Sequence, residues 1–179
     1  MNEIKFHGRG GQGVVMASQM LGLAFFRAGM YPQCYSLFGG ERRGAPVVSF
    51  LRVDKEKILL KCEIRRPDEL LCFDADLFHP AEIRSSMREG ARLLVNTNRP
   101  PDAFQGLECY HLALIDAGSI AETLGLGRVI NTTVLGAYCR LNGTLSLDHV
   151  LEAVEEMVPA KMEMNVEAVR KGYASVINV

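Results

Sequence analysis

Apolar and polar positions along the chain fall into two periods. Short apolar or alternating runs bounded by turn residues predict strands at Glu3–His7, Cys34–Phe38, Val47–Val53, Leu70–Phe73, Ala91–Val95 and Tyr110–Ile115. Ile58–Ile64 reads as one more strand. It is separated from Val47–Val53 by the turn-like Asp54-Lys55-Glu56-Lys57, which predicts that the two are antiparallel neighbours. Longer runs predict helices at Val14–Gly29, closed by Gly29, and at His79–Arg88, Ile120–Leu124, Thr132–Leu141, Leu147–Val158 and Val166–Val176, with Asp116 a helix N-cap. Strands alternating with helices give the class α/β: a three-layer α/β/α sandwich, Rossmann-like, with a mixed sheet because of the antiparallel pair. Neither repeat nor linker interrupts the pattern, so residues 1–179 are expected to form a single domain.

Two helices lack the polar stripe of a helix with one face in solvent. They are Val14–Phe26 and the small, apolar Thr132–Cys139. Each is expected to be covered on both sides, by another helix of the chain or, the reading we favour, by a partner subunit.

Composition removes several classes of function. With 20 basic and 21 acidic residues the formal net charge is −1, which offers no bulk attraction for nucleic acid. The longest apolar stretch is broken by Ser18 and Gln19 and is too short to span a bilayer. Residues 1–13 lack the basic and apolar regions of a signal peptide, so a cytoplasmic location is expected. The five cysteines, Cys34, Cys62, Cys72, Cys109 and Cys139, show neither C-x-x-C nor ferredoxin-like spacing. No iron–sulfur cluster or zinc is therefore expected on this chain. His7, His79, His111 and His149 are isolated, and no serine sits in G-x-S-x-G. No catalytic residue and no metal ligand is assigned.

One loop carries candidate chemistry. Gly8-Arg9-Gly10-Gly11-Gln12-Gly13 satisfies G-x-G-x-x-G between a strand and a helix, where glycines admit a ligand to backbone N–H groups and the helix dipole favours an anion. A dinucleotide site also needs an acidic residue ending the second strand. Cys34–Phe38 has none before Glu41, so NAD or FAD is disfavoured. Arg42 and Arg43, between glycines, are placed to meet phosphate or carboxylate. Asp74 and Asp76 end the Leu70–Phe73 strand, as paired carboxylates or as a cap in a solvated loop.

Taken together, GRGGQGVVMAS, FGGERRGAPVVSFLRVD, RRPDELLCFD, GARLLVNT, INTTVLGAY and NVEAVRKGY, in this order, resemble the gamma subunit of the 2-oxoacid:ferredoxin (acceptor) oxidoreductases. The likeness covers essentially the whole chain. One departure is Gly40, where the family segment often has proline. The resemblance implies an enzyme complex that oxidatively decarboxylates a 2-oxoacid with coenzyme A to acyl-CoA, carbon dioxide and reduced ferredoxin. It implies thiamine diphosphate in alpha and beta partners, iron–sulfur clusters in beta and the ferredoxin-like delta, and no cofactor bound by this chain alone. The isolated subunit is expected to be inactive and open to self-association. The cofactor-proximal residues are then Gly8, Arg9, Gly10, Gly11, Gln12, Gly13, Arg42 and Arg43, near the coenzyme A path. Two other readings remain beside this one: a self-contained NAD/FAD-binding oxidoreductase domain, and an assembly scaffold in which the loop is only a tight turn.

Overall fold

The first strand of the chain lies between two strands that are made later. In the computed structural model, which describes residues 1–37 and 44–179, β1 (Asn2–Arg9) pairs antiparallel with β3 (Pro46–Asp54) on one side and parallel with β4 (Glu69–Cys72) on the other. Outside β3 lies β2 (Tyr31–Leu37), antiparallel to it. Outside β4 come β5 (Arg92–Asn96) and β6 (His111–Ile115), both parallel, and a short antiparallel β7 (Ile177–Asn178). The order β2-β3-β1-β4-β5-β6-β7 makes one mixed seven-stranded sheet.

Alternation along the strands decides which face meets which layer. Ile4 and Phe6 of β1 and Leu51 and Val53 of β3 point to a face covered by α1 (Val14–Arg27), on which α5 (Leu147–Met157) packs in turn. That layer is completed by α3 (Ala117–Thr123), α4 (Asn131–Asn142) and α6 (Met162–Ser175). On the opposite face Leu70, Cys72, Leu93, Val95, Leu112 and Leu114 pack under α2 (Pro80–Ser86) and two 3-10 turns, Ala75–Leu77 and Pro101–Phe104. β4 and β5 are apolar on both faces, which is why they read as continuous apolar runs. Asp116 caps α3 by accepting from the Ser119 amide at 3.0 Å, as the sequence predicts.

Two expectations are corrected. Residues 58–64 form no strand; both sides of β3 are already taken, by β1 and by β2. The segment instead crosses the second face, where the Ile64 amide donates to the Tyr35 hydroxyl and Gln33 donates to the Leu60 carbonyl. The apolar helices are covered largely within the chain. The sheet and α5 enclose α1, leaving Met16 and Phe26 exposed, and α6 lies close along α4. Their patterns need no partner subunit.

At the edge where β1 begins, Arg52 is fully buried and donates to Glu3 at 2.9 Å, while Arg88 bridges Glu3 at 3.1 Å and Asp68 at 2.8 Å. The thiols are graded by burial, which pushes Cys34 to about 11, Cys72 to about 12 and Cys139 to about 11. A thiol at about 11 is thiolate in roughly one molecule per thousand at pH 8. Cys34 is exposed as a residue, but its sulfur is turned inward onto the Ser18 carbonyl of α1. Titration of the native protein with an aromatic disulfide reagent at pH 8 should therefore show fast reaction at the exposed Cys62 and Cys109 and slow reaction at Cys34. Rapid labelling of Cys72 or Cys139 without denaturant would contradict this packing.

Candidate functional site

The glycine loop sits where the strand sequence reverses, at the C-terminal ends of β1 and β4. In open α/β sheets this switch point is where ligands gather. Gly11 (φ 99°) and Gly13 (φ 81°) take left-handed conformations that let the chain turn directly into α1. The Gly10 amide donates to Ala45 at 2.9 Å and the Gly44 amide to Gly10 at 3.2 Å, tying the loop to the approach of β3.

Two side chains that the sequence assigned to a cofactor are occupied with the loop itself. The Gln12 carboxamide accepts from the Arg9 amide at 2.7 Å and donates to the Phe73 carbonyl at 3.2 Å, a brace from β1 to β4. Asn96 donates to the same carbonyl at 3.0 Å and accepts from the Ala117 amide at 2.9 Å, carrying the brace to α3. The Arg9 guanidinium lies 2.5 Å from the Asp74 carboxylate, whose other oxygen caps the 3-10 turn through the Asp76 amide. Gln12→Ala removes both bonds and should cost about 1–3 kcal/mol. A lower melting temperature and faster hydrogen exchange at the Arg9 amide would register it, and native-like exchange there would remove the brace.

Hollows flank the loop on both sides. A polar cleft of about 350 Å³ is lined by Gln12, Asp74, Asp76, Asn96, Arg99 and Asp116. Its charges are largely spent internally: Asp74 on Arg9, Asp76 on Arg99 at 2.5 Å, and Asp116 on the cap of α3. A more apolar groove of about 510 Å³ opens beside Gly11, Gly13 and Met16, with Val129, Asn131 and Lys161 across from them. No side chain caps α1, so among the described residues its first-turn amides have no side-chain acceptor. His7, on the second face of β1, is kept below the ordinary histidine range by burial, and then by Lys5. Among the described residues no group of three His, Cys, Asp or Glu could hold a metal, and no helix is long and apolar enough to cross a membrane.

The loop residues Gly8 to Gly13 lie together at the end of β1, but their surroundings divide. Gly11 and Gly13 face the groove, Gln12 faces the polar cleft, and Arg9 is drawn to Asp74. Arg42 and Arg43 lie outside the described residues. Asp74, read in the sequence as one of two paired carboxylates or as a cap, does cap the 3-10 turn, and it lies at the loop because the strand beside β1 is β4 and not β2. With Arg9 upon it, Asp74 is not a free acceptor for a ribose. Asn131 and Lys161 were missed; each lies at the start of a helix whose apolar pattern dominated its reading.

This geometry defines an α/β domain with a glycine-rich loop at the switch point of a mixed sheet and, among the described residues, no assembled catalytic group. Comparison with known proteins gives the family. The pyruvate ferredoxin/flavodoxin oxidoreductase family model matches residues 3–175, and the chain belongs to that family. It is 37% identical to the pyruvate/ketoisovalerate oxidoreductases common subunit gamma of Thermococcus litoralis, over 99% of this chain and 98% of the relative. It is 39% identical to the NADH-dependent phenylglyoxylate dehydrogenase subunit gamma of Aromatoleum evansii, over 98% of this chain and 94% of the relative. Among solved structures, the pyruvate oxidoreductase subunit PORC of Thermotoga maritima superposes with a TM-score of 0.84 at 32% identity, covering 99% of this chain and 97% of that one.

Proposed function

We propose that the chain is the gamma subunit of a multi-subunit 2-oxoacid:ferredoxin oxidoreductase, which converts a 2-oxoacid and coenzyme A to acyl-CoA and carbon dioxide and passes two electrons to an acceptor. The supporting observation is likeness along the whole chain to gamma subunits of 2-oxoacid-oxidising complexes. Its partners on this reading are alpha, beta and ferredoxin-like delta subunits, which hold thiamine diphosphate and the clusters. This chain is a structural subunit that also borders the coenzyme A path. The uncapped first turn of α1 and the lysine beside it fit a phosphate-bearing ligand. A second reading concerns the acceptor: the Aromatoleum relative is named as NADH-dependent, so a nicotinamide-linked complex is the variant to distinguish.

Co-expression with the genes encoding candidate partners tests this. The purified complex should reduce ferredoxin when given a 2-oxoacid, coenzyme A and thiamine diphosphate, and the isolated chain should not. Acceptor reduction by the isolated chain would overturn the division of labour. Transfer to NAD but not to ferredoxin would select the second reading.

A further inference from the structure

We propose that the open edge of β2, with the basic segment beside it, docks an acidic, extended segment of a partner subunit that adds to the sheet as a further strand. The inference rests on the subunit reading for where that partner is found, and on this chain's own surface for its chemistry. β2 pairs with β3 alone, and among the described residues no backbone group outside β3 bonds to its backbone. Exposed edges are commonly kept from pairing by short length, a bulge, a proline or a charge. The opposite edge of the sheet, β7, is two residues long. β2 runs for seven, Tyr-Pro-Gln-Cys-Tyr-Ser-Leu, and carries no charge. Pro32 lacks an amide, but residues 33–37 keep theirs.

The segment 55–66 supplies the charge. It is fastened beside β2 where Gln33 donates to the Leu60 carbonyl and the Ile64 amide donates to the Tyr35 hydroxyl. Five cations, Lys55, Lys57, Lys61, Arg65 and Arg66, stand there against two carboxylates, Glu56 and Glu63, a surplus of three in a chain of net charge −1. All five are exposed, and among the described residues none makes an ion pair. Arg66 donates only to the Met87 carbonyl. Apolar groups stand among these charges: Leu59 is 79% exposed, and Leu60, Tyr31 and Leu37 about half. Between the segment and β2 opens a cleft of about 430 Å³ that includes Leu37 and Lys61, with buried Arg52 in its lining and Glu63 its one carboxylate.

Charge decides between the two strands that such an edge could accept. Antiparallel pairing of two copies along β2 would run the two-fold axis through the sheet and place both 55–66 segments on the same face of it. Two surpluses of three positive charges would then meet, and like charges brought together oppose the pairing. A partner strand bearing carboxylates meets the opposite condition. Its main chain would take up the free backbone groups of β2, its carboxylates would face Lys57 and Lys61, and its apolar side chains would cover Leu37, Leu59 and Leu60.

Two measurements test this. In the first, the full chain is titrated with a short peptide of alternating valine and glutamate, and separately with one of valine and lysine, while amide chemical shifts are followed. Saturable shifts at residues 33–37 are expected with the glutamate peptide alone; shifts only elsewhere, or an equal response to both peptides, would overturn the surface. In the second, hydrogen exchange is compared between the isolated chain and the complex co-expressed with candidate partners. The amides of residues 33–37 should exchange about ten-fold more slowly, or slower still, in the complex. Lys57→Glu with Lys61→Glu, both exposed, should weaken association by about ten-fold or more. Arg170→Glu, exposed on α6, should change it by less than about two-fold. Equal losses from the two variants would overturn the surface. Binding of the glutamate peptide at β2 without assembly of any complex keeps the surface and removes the subunit reading. A complex in which β2 exchanges as fast as in the isolated chain keeps that reading and removes the surface. A dimer of the isolated chain with β2 protected would put a second copy in the partner's place and overturn the proposal.

Discussion

Gly136→Ala is expected to destabilise the protein by about 3 kcal/mol or more, at the upper end of the range for overpacked cores. The cause is the contact between α4 and α6. A Cβ on Gly136 would lie 2.8 Å from the Val169 carbonyl carbon and nearer still to its oxygen. One on Gly172 would meet the Thr133 carbonyl carbon at 2.9 Å. Both obstacles are backbone, so no rotamer change relieves them, and the two helices must move apart. For a chain of this size the penalty corresponds to a fall in melting temperature of about 6–12 °C. Gly172→Ala should do much the same, and the double variant should cost less than the sum, since one separation accommodates both methyl groups. A Gly136→Ala protein melting within a degree or two of wild type would show that the helices do not approach so closely.

The second large effect is expected at Arg52, fully buried on the second face of β3. Its guanidinium donates to Glu3 at 2.9 Å and to Gln33 at 3.1 Å. Arg52→Leu leaves the Glu3 carboxylate with Arg88 alone, a partner about half exposed. Removing one member of a buried pair costs about 3–5 kcal/mol, and the retained Arg88 contact places this case near the lower bound. Urea denaturation would measure it. The informative companion is Glu3→Leu with Arg52→Leu, which strands no charge and should be milder than Arg52→Leu alone. A single variant within about 1 kcal/mol of wild type would mean that water already reaches the pair.

The alternation of Ile4 and Phe6 with Lys5 and His7, and the apolar runs at Leu70 and Leu93, made most strands and the α/β class readable in the sequence. Pairing was less readable. Val47–Val53 and Ile58–Ile64 looked like a hairpin because local spacing favours neighbours, yet the partners of β3 come from residues 2–9 and 31–37. Long-range pairing of this kind leaves no local mark. The end strand β7, only two residues long, is likewise too short to carry a period.

Helices α1 and α4 failed in a different way. An all-apolar helix reports that every side is covered but not by what: Gly136 against Gly172 shows the cover of α4 to be α6, whereas α1 lies between the sheet and α5. At the site, Gly8 to Gly13 were recognisable because a glycine-rich turn is written locally. Asn131 and Lys161 were not, since tertiary packing alone brings their helices to the loop. Asp74 was visible as a strand end, but its role depended on knowing that β4, and not β2, lies beside β1.

The central place of β1 has a consequence for how the protein is made. Its two neighbours end at residues 54 and 72, so β1 has at least one hydrogen-bonding edge open until more than a third of these 179 residues have been made. Closing such distant pairs is slow compared with forming helices. Open strand edges in a nascent chain are templates for pairing with other chains. Folding yield should therefore depend on the rate of synthesis through the β3–β4 region, and slowing translation before residue 72 should increase aggregation. Once formed, β1 has a partner on each side, and its amides should be among the slowest in the molecule to exchange with solvent.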